Sequence, residues 1–283
     1  MKFANRYIFI CVLLVSAATN PLLAQFNKIR NDAWWFDVNG NPINSQGGGI
    51  FRFKEPWTGI LKYYWYGAHY YEADSFRMDP SAIYDKTRFK SVVCYSSTDL
   101  VNWKKENDVF TDAVAFPDGR PTWAGRLGVA YIRELDLYAM LIQHGREVLI
   151  ATSKTPTGNF SWHRKINMTD RIGTSNTGDQ TVFTDEETGI SYLVYSYGRG
   201  RNKIYISEIG IKNGVIDLLD CTKIFEGESR EGNCMFKYNG KYYMFASNIY
   251  GWDGSYAYYL VADDIRGPYR PANEMLITKG CEA

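Results

Sequence analysis

The sequence predicts an all-β chain folded as a β-propeller, and three observations lead to that class. Four segments align as strand, short loop, strand: GGGIFRFKEPWTGILKYYWYG, GRLGVAYIRELDLYAMLIQ, GDQTVFTDEETGISYLVYS and EGNCMFKYNGKYYMFAS. A third strand follows each of them (SVVCYSS, EVLIATS, KIYISEI and YAYYLVADD), and the equivalent residues Val92, Val148, Ile204 and Tyr258 stand 56, 56 and 54 residues apart. Finally, 22 Tyr, 15 Phe and 8 Trp fill the chain with side chains that suit pleated, half-buried strands, while helical periodicity is nearly absent. Antiparallel strands that recur as sets of four match propeller blades better than a sandwich, whose strands do not recur in this way.

Each hairpin follows from its own residues. The second strand of every pair is aromatic or β-branched, and every connecting loop carries Gly or a charged pair. The last unit ends near residue 275, so residues 25–283 hold four recognisable blades, and either residues 25–46 help to close a ring or a blade is missing. Gly and Pro fall at loop spacing throughout, so residues 25–283 read as one domain. Trp34, Trp35 and Trp65 are expected in the core, and Asp74, Asp79 and Asp85 on a solvated loop of the first blade.

Residues 1–24 stand outside the fold as a signal peptide. Lys2 and Arg6 precede an apolar stretch from Tyr7 to about Ala18, and Pro21-Leu22-Leu23-Ala24 offers a small residue for cleavage. Cys11 has no lipobox-like spacing, which favours a cleaved signal over a lipid anchor, and so a secreted or periplasmic protein. The apolar run is shorter than the roughly 20 residues of a membrane span, and no later segment is longer. Against 32 Lys plus Arg stand 31 Asp plus Glu, a balance too even for nucleic acid to be the expected partner. Four cysteines remain after the signal, with no CxxC and only His69, His144 and His163 to join them, so zinc is not expected and buried free thiols are.

In a propeller, the start of each blade's first strand converges on one mouth of the central channel. These starts are Gln46-Gly47-Gly48-Gly49, Gly125-Arg126, Asp179-Gln180 and Arg230-Glu231. Asp179 and Glu231 thus occupy equivalent positions one blade apart. Acid catalysis on a glycosidic bond needs a carboxylic acid held protonated near neutral pH, and a neighbouring carboxylate can hold it so. The competing reading has each carboxylate capping a strand turn or pairing with a local arginine such as Arg126 or Arg230.

The phrases TGDQTVFTDEETGISYLVYS and SREGNCMFKYNGKYYMFAS, with NGNPINSQGGGI, YYWYG and VVCYSSTDLVNW, resemble glycoside hydrolase family 43, from about Asn31 to the C-terminus. That family consists of five-bladed propellers that invert anomeric configuration, and the resemblance is strongest to the branch of exo-β-1,3-galactanases and galactofuranosidases. It implies Glu231 as general acid and Asp179 as the carboxylate that raises its proton affinity and orients it. The family's general-base Asp is absent: Gln46-Gly47-Gly48-Gly49 stands in its place, and the amide of Gln46 could position a water but is a poor base. In the related branch the resemblance implies that a residue of the fifth blade handles the water, yet this chain stops at Cys281-Glu282-Ala283, where that blade should begin.

The resemblance further implies that Arg126, in WAGRLGV, contacts a sugar hydroxyl or holds a carboxylate, and that Trp252, in NIYGWDGS, is an aromatic platform for a pyranose. Galactanase-like relatives carry an acidic residue just before this arginine, where this chain has Gly125. No cofactor is expected; a structural calcium is known in the family's channel, but no loop here demands one. Two functions follow. One is a monomeric, exo-acting inverting glycosidase removing terminal galactosyl or arabinosyl units from an oligosaccharide or plant polysaccharide, this chain being a fragment of it. The other is a shortened propeller that binds carbohydrate without turning it over.

Overall fold

A computed structural model describes residues 27–84, 86–173, 177–251 and 255–275. Blade one comprises β1 (Gln46–Lys54), β2 (Leu61–Tyr70), β3 (Phe89–Ser97) and β4 (Lys104–Thr111), paired in that order. Blade two repeats the meander with β5 (Leu127–Ile132), β6 (Leu137–His144), β7 (Glu147–Ser153) and β8 (Ser161–Asn167). Blade three has β9 (Thr177–Thr184), β10 (Ser191–Tyr197) and β11 (Lys203–Lys212), and blade four has β14 (Glu231–Tyr238), β15 (Lys241–Ser247), β16 (Ala257–Ala262) and β17 (Arg270–Met275). Every pairing is antiparallel, and Val92, Val148, Ile204 and Tyr258 all fall on third strands, as the repeat requires.

The outer strand of blade three departs from the repeat. It is split into β12 (Val215–Leu218) and β13 (Thr222–Glu226), each paired with a different half of β11. Asn213-Gly214, both at positive φ, make the tight turn that folds β12 back at once, and Asn239-Gly240 do the same between β14 and β15. Among the described residues helix is confined to α1 (Ala73–Met78), α2 (Asp112–Ala115) and α3 (Met168–Ile172), all in connections between strands, and to two short 3-10 turns.

Alternation along the strands sends one set of side chains to each neighbouring blade, so the core lies between blades in three slabs. Phe53, Tyr64 and Tyr66 of blade one meet Leu127, Met140 and Ile142 of blade two. The other face of blade two, Ala130, Leu141 and Ile150, meets Val182, Leu193 and Tyr195 of blade three. Val194, Ile204 and Ile206 then meet Met235, Met244 and Leu260 of blade four. Burying each Val, Leu, Ile, Phe or Met side chain among them contributes about 1.5–3 kcal/mol. Inner strands touch in the order β1, β5, β9 and β14, and among the described residues β14 packs on β9 but makes no comparable contact with β1, so the four described blades form an open arc.

Segment 27–45 does not close that arc. It packs on blade one, where Val38 N donates to Trp103 O (2.8 Å), Asn44 N donates to Tyr95 Oη (3.0 Å), and Trp35 and Ile43 lie against Tyr95 and Trp103. Trp35 and Trp65 share that cluster as expected, their rings 5.6 Å apart. Trp34 corrects the expectation: at 49% exposure it lies outside the core, because the irregular segment turns it toward Phe76 and the guanidinium of Arg77 instead of into a strand face. The thiols also differ from expectation. Cys94 is buried, Cys221 is half-buried and Cys234 is exposed, on the face of β14 that no described blade covers; Cys281 lies outside the described residues.

Candidate active site

The first residues of the inner strands line one cleft of about 240 Å³ at the axis, which brings together Gln46, Arg126, Asp179 and Glu231 with Trp123, Gln143, Arg201 and Gly251. Four of the five residues singled out from the sequence therefore share a cavity. Trp252 lies outside the described residues, although its neighbour Gly251 reaches the rim.

A backbone device repeated in two blades aims the ends of these strands. β1 and β14 each open with a register shift, between Gln46 and Gly49 and between Glu231 and Cys234. Gly47 (φ 63°) and Gly232 (φ 65°) supply the left-handed residue at each bulge. The bulge re-aims the residue before it, so Gln46 in blade one holds the position that Glu231 holds in blade four.

Asp179 is 7% exposed, and both its carboxylate oxygens are engaged. Oδ1 lies 3.2 Å from Nε of Arg126, and Oδ2 accepts a 2.9 Å hydrogen bond from the backbone N–H of Gly232. Its own carbonyl accepts from Asn233 Nδ2 at 2.8 Å, and that amide is held in turn by Ser196, which is fully buried. Asp179 therefore fixes the peptide that follows Glu231, a direct means of orienting the Glu231 side chain.

Glu231 is paired with Arg201, not with Arg230. Arg230 is buried and faces the other way, over the ring of Tyr258 (4.0 Å) and bonded to Asn248 (2.9 Å). Arg201 follows β10 in a short 3-10 turn with φ 55°, an uncommon backbone for a side-chain-bearing residue, and its carbonyl accepts from Arg230 N at 3.0 Å. Its part in the site could not be read from the sequence, because YGRGRNK lies in a loop without strand alternation. The competing reading of the carboxylates thus holds for Asp179 and Arg126, but both pairs lie at the cleft and not on the outer surface.

Other residues weighed from the sequence lie elsewhere. His69 faces Lys90 and Asp108 in blade one, its proton affinity lowered by burial, and it does not line the cleft. Asp74 and Asp79 are exposed on the loop carrying α1, and Asp85 lies outside the described residues. Among the described residues no group of three or more His, Cys, Asp or Glu side chains converges to hold a metal ion. Chemically, the cleft offers two carboxylates in adjacent blades, two guanidiniums, two amides and one indole, a set suited to a neutral polyol with a bond to be protonated.

Comparison with known proteins agrees with that chemistry. The exo-β-1,3-galactanase 1,3Gal43A from Clostridium thermocellum superposes with TM-score 0.69 at 26% identity, over 87% of this chain and 51% of that one. A β-1,3-galactosidase solved with galactodeoxynojirimycin gives TM-score 0.67 at 25% identity, over 86% of this chain and 80% of its own. The exo-β-1,3-galactanase of Phanerochaete chrysosporium with β-1,3-galactotriose shares the fold at TM-score 0.68 and 24% identity, over 86% and 52%. This chain spans about half the length of two of these three solved relatives. No curated protein matches it. The family model described as glycosyl hydrolases family 43 matches residues 62–282, most of the chain, from the second strand of blade one onward, so the chain belongs to that family.

Proposed function

We propose that this propeller is the catalytic part of a secreted, exo-acting, inverting glycosidase that removes terminal galactosyl units from a β-1,3-linked galactan or oligosaccharide. The observation that carries the reading is that Glu231 and Asp179, from adjacent blades, line one cleft, with Asp179 gripping the N–H of Gly232, the residue after Glu231, at 2.9 Å. Likeness to solved enzymes that act on β-1,3-galactosides supports galactose over arabinose as the sugar.

In the reaction, Glu231 gives its proton to the glycosidic oxygen as the bond to the anomeric carbon breaks. A water attacks that carbon from the opposite face, and its proton leaves to a base. The Arg201 ion pair must open for this, since a guanidinium favours the ionised carboxylate; an entering sugar that takes a hydrogen bond from Arg201 would open it. Gln46 lines the same cleft, and in this reading its amide holds the water, though it cannot accept a proton as a carboxylate does.

That last point favours a second reading, a propeller that binds the sugar without cleaving it. Among the described residues lining the cleft, the only carboxylates are Asp179 and Glu231, and both are already paired. One experiment separates the two: the protein is incubated with β-1,3-galactotriose and the products are followed by proton NMR. Release of galactose as the α-anomer, ahead of mutarotation, is the expected result. Release of the β-anomer overturns the inverting assignment, and saturable binding with no release favours the second reading.

A further inference from the structure

Trp123 and Gly125 form a feature of the cleft that the catalytic pair does not use. Trp123 lines the cavity with 40% of its surface exposed, the only aromatic side chain among the described residues that does so. Its indole lies directly on the backbone of Gly125: a Cβ at that position would overlap ring carbons Cζ2 and Cη2. Gly125 is buried and its N–H donates to Gln143 O (3.1 Å), while Gln143 N donates to Arg126 O (3.0 Å). The indole is therefore seated on a rigid cross-strand pair between the start of blade two and the end of β6.

The Gln143 side chain is 5% exposed and lines the same cleft, and among the described residues its carbonyl oxygen Oε1 has no hydrogen-bond donor. A buried acceptor without a partner is unfavourable unless a ligand or water supplies the donor. An aromatic face beside an unfilled acceptor describes one kind of ligand: a ring with a flat apolar C–H face and hydroxyl donors on its edge.

We propose that Trp123 and Gln143 form a sugar subsite, in which the indole stacks on the apolar face of a hexopyranose and Oε1 of Gln143 accepts from one of its hydroxyls, Gly125 being required because any side chain there would displace the indole. The subsite makes the cleft selective for pyranose over furanose rings, since a furanose offers a smaller and more puckered C–H face to stack. It rests on the proposal that the cleft binds galactosides.

The test is binding of β-1,3-galactotriose to the whole chain, read by tryptophan fluorescence and by calorimetry, with fold checked by circular dichroism. Trp123→Ala should weaken binding roughly tenfold or more, and Trp123→Phe by less. Gly125→Ala should reproduce the loss of Trp123→Ala although the indole is still present, a result that simple loss of an aromatic contact area elsewhere would not give. Gln143→Leu should weaken binding while leaving the fluorescence response of the indole. Methyl α-L-arabinofuranoside should bind more weakly than methyl β-D-galactopyranoside, and equal binding would overturn the pyranose selectivity. If the wild-type protein and Glu231→Gln both bind the trisaccharide and folded Trp123→Ala binds equally well, the subsite is wrong while the galactoside reading stands. If the wild-type protein does not bind the trisaccharide at all, both are wrong.

Discussion

Gly232 shows how much of the site depends on one backbone angle. At φ 65° it lets β14 bulge directly after Glu231, and its N–H is the one that Asp179 holds. Alanine in the left-handed region costs about 1–2 kcal/mol, so Gly232→Ala should lower unfolding stability by that amount in urea titration. Turnover should fall further than stability does, because relieving the strain would straighten the bulge and turn Glu231 away from Asp179. Unchanged kinetics in a destabilised variant would show that the bulge does not aim the acid. Position within the repeat made Gln46, Asp179 and Glu231 legible in the sequence, since β-strands convert a repeat interval directly into a place in space. Arg201 was illegible for the converse reason: it comes from a loop, where no period links sequence to position. Trp123 stood in the same short phrase as Arg126, but only its contact with Gly125 reveals that its ring faces the cleft.

Among the elements, the turns between inner strands tie one blade to the next. Asp185, in the turn after β9, is 2% exposed and is reached from blade four by Tyr242 Oη (2.6 Å) and Lys237 Nζ (3.1 Å). Burial pushes its proton affinity up, but the hydrogen bonds from Tyr242 and Lys237 outweigh that and hold the carboxyl below its ordinary range. A carboxylate depressed in the folded state contributes stability that is complete above the ordinary aspartate range and is lost as acid protonates it. Asp185→Asn should therefore destabilise the protein by about 1–3 kcal/mol at neutral pH, with a smaller further loss on acidification than the wild type shows. Equal acid sensitivity in the two proteins would place the acid-labile contact elsewhere. Strand pairing of this kind was readable from alternation, whereas the split of the outer strand of blade three into β12 and β13 was not. Outer strands carry weak alternation, and the Asn213-Gly214 turn decides the break locally.

Across the whole molecule, three hydrophobic slabs join four blades, and the fourth blade shows its far face to solvent. On that face Phe236, Tyr243, Phe245 and Tyr259 form a ladder of stacked rings, with Phe236 and Tyr243 centroids 5.2 Å apart and Phe245 and Tyr259 5.0 Å apart. The sequence hid this asymmetry because aromatic residues stand on both faces of β15: Tyr242 is buried against blade three while Tyr243 points outward. The arc nevertheless places Asp179 and Glu231 at one mouth, since their strands β9 and β14 are adjacent. In the proposed reaction Glu231 is the proton donor there. Its most direct test compares wild type and Glu231→Gln on two substrates, β-1,3-galactotriose and an aryl β-galactoside whose leaving group needs no protonation. The trisaccharide should be cleaved some 10²–10⁴-fold more slowly by the variant, with the aryl substrate far less affected. Equal slowing of both substrates, or none of either, would contradict the assignment.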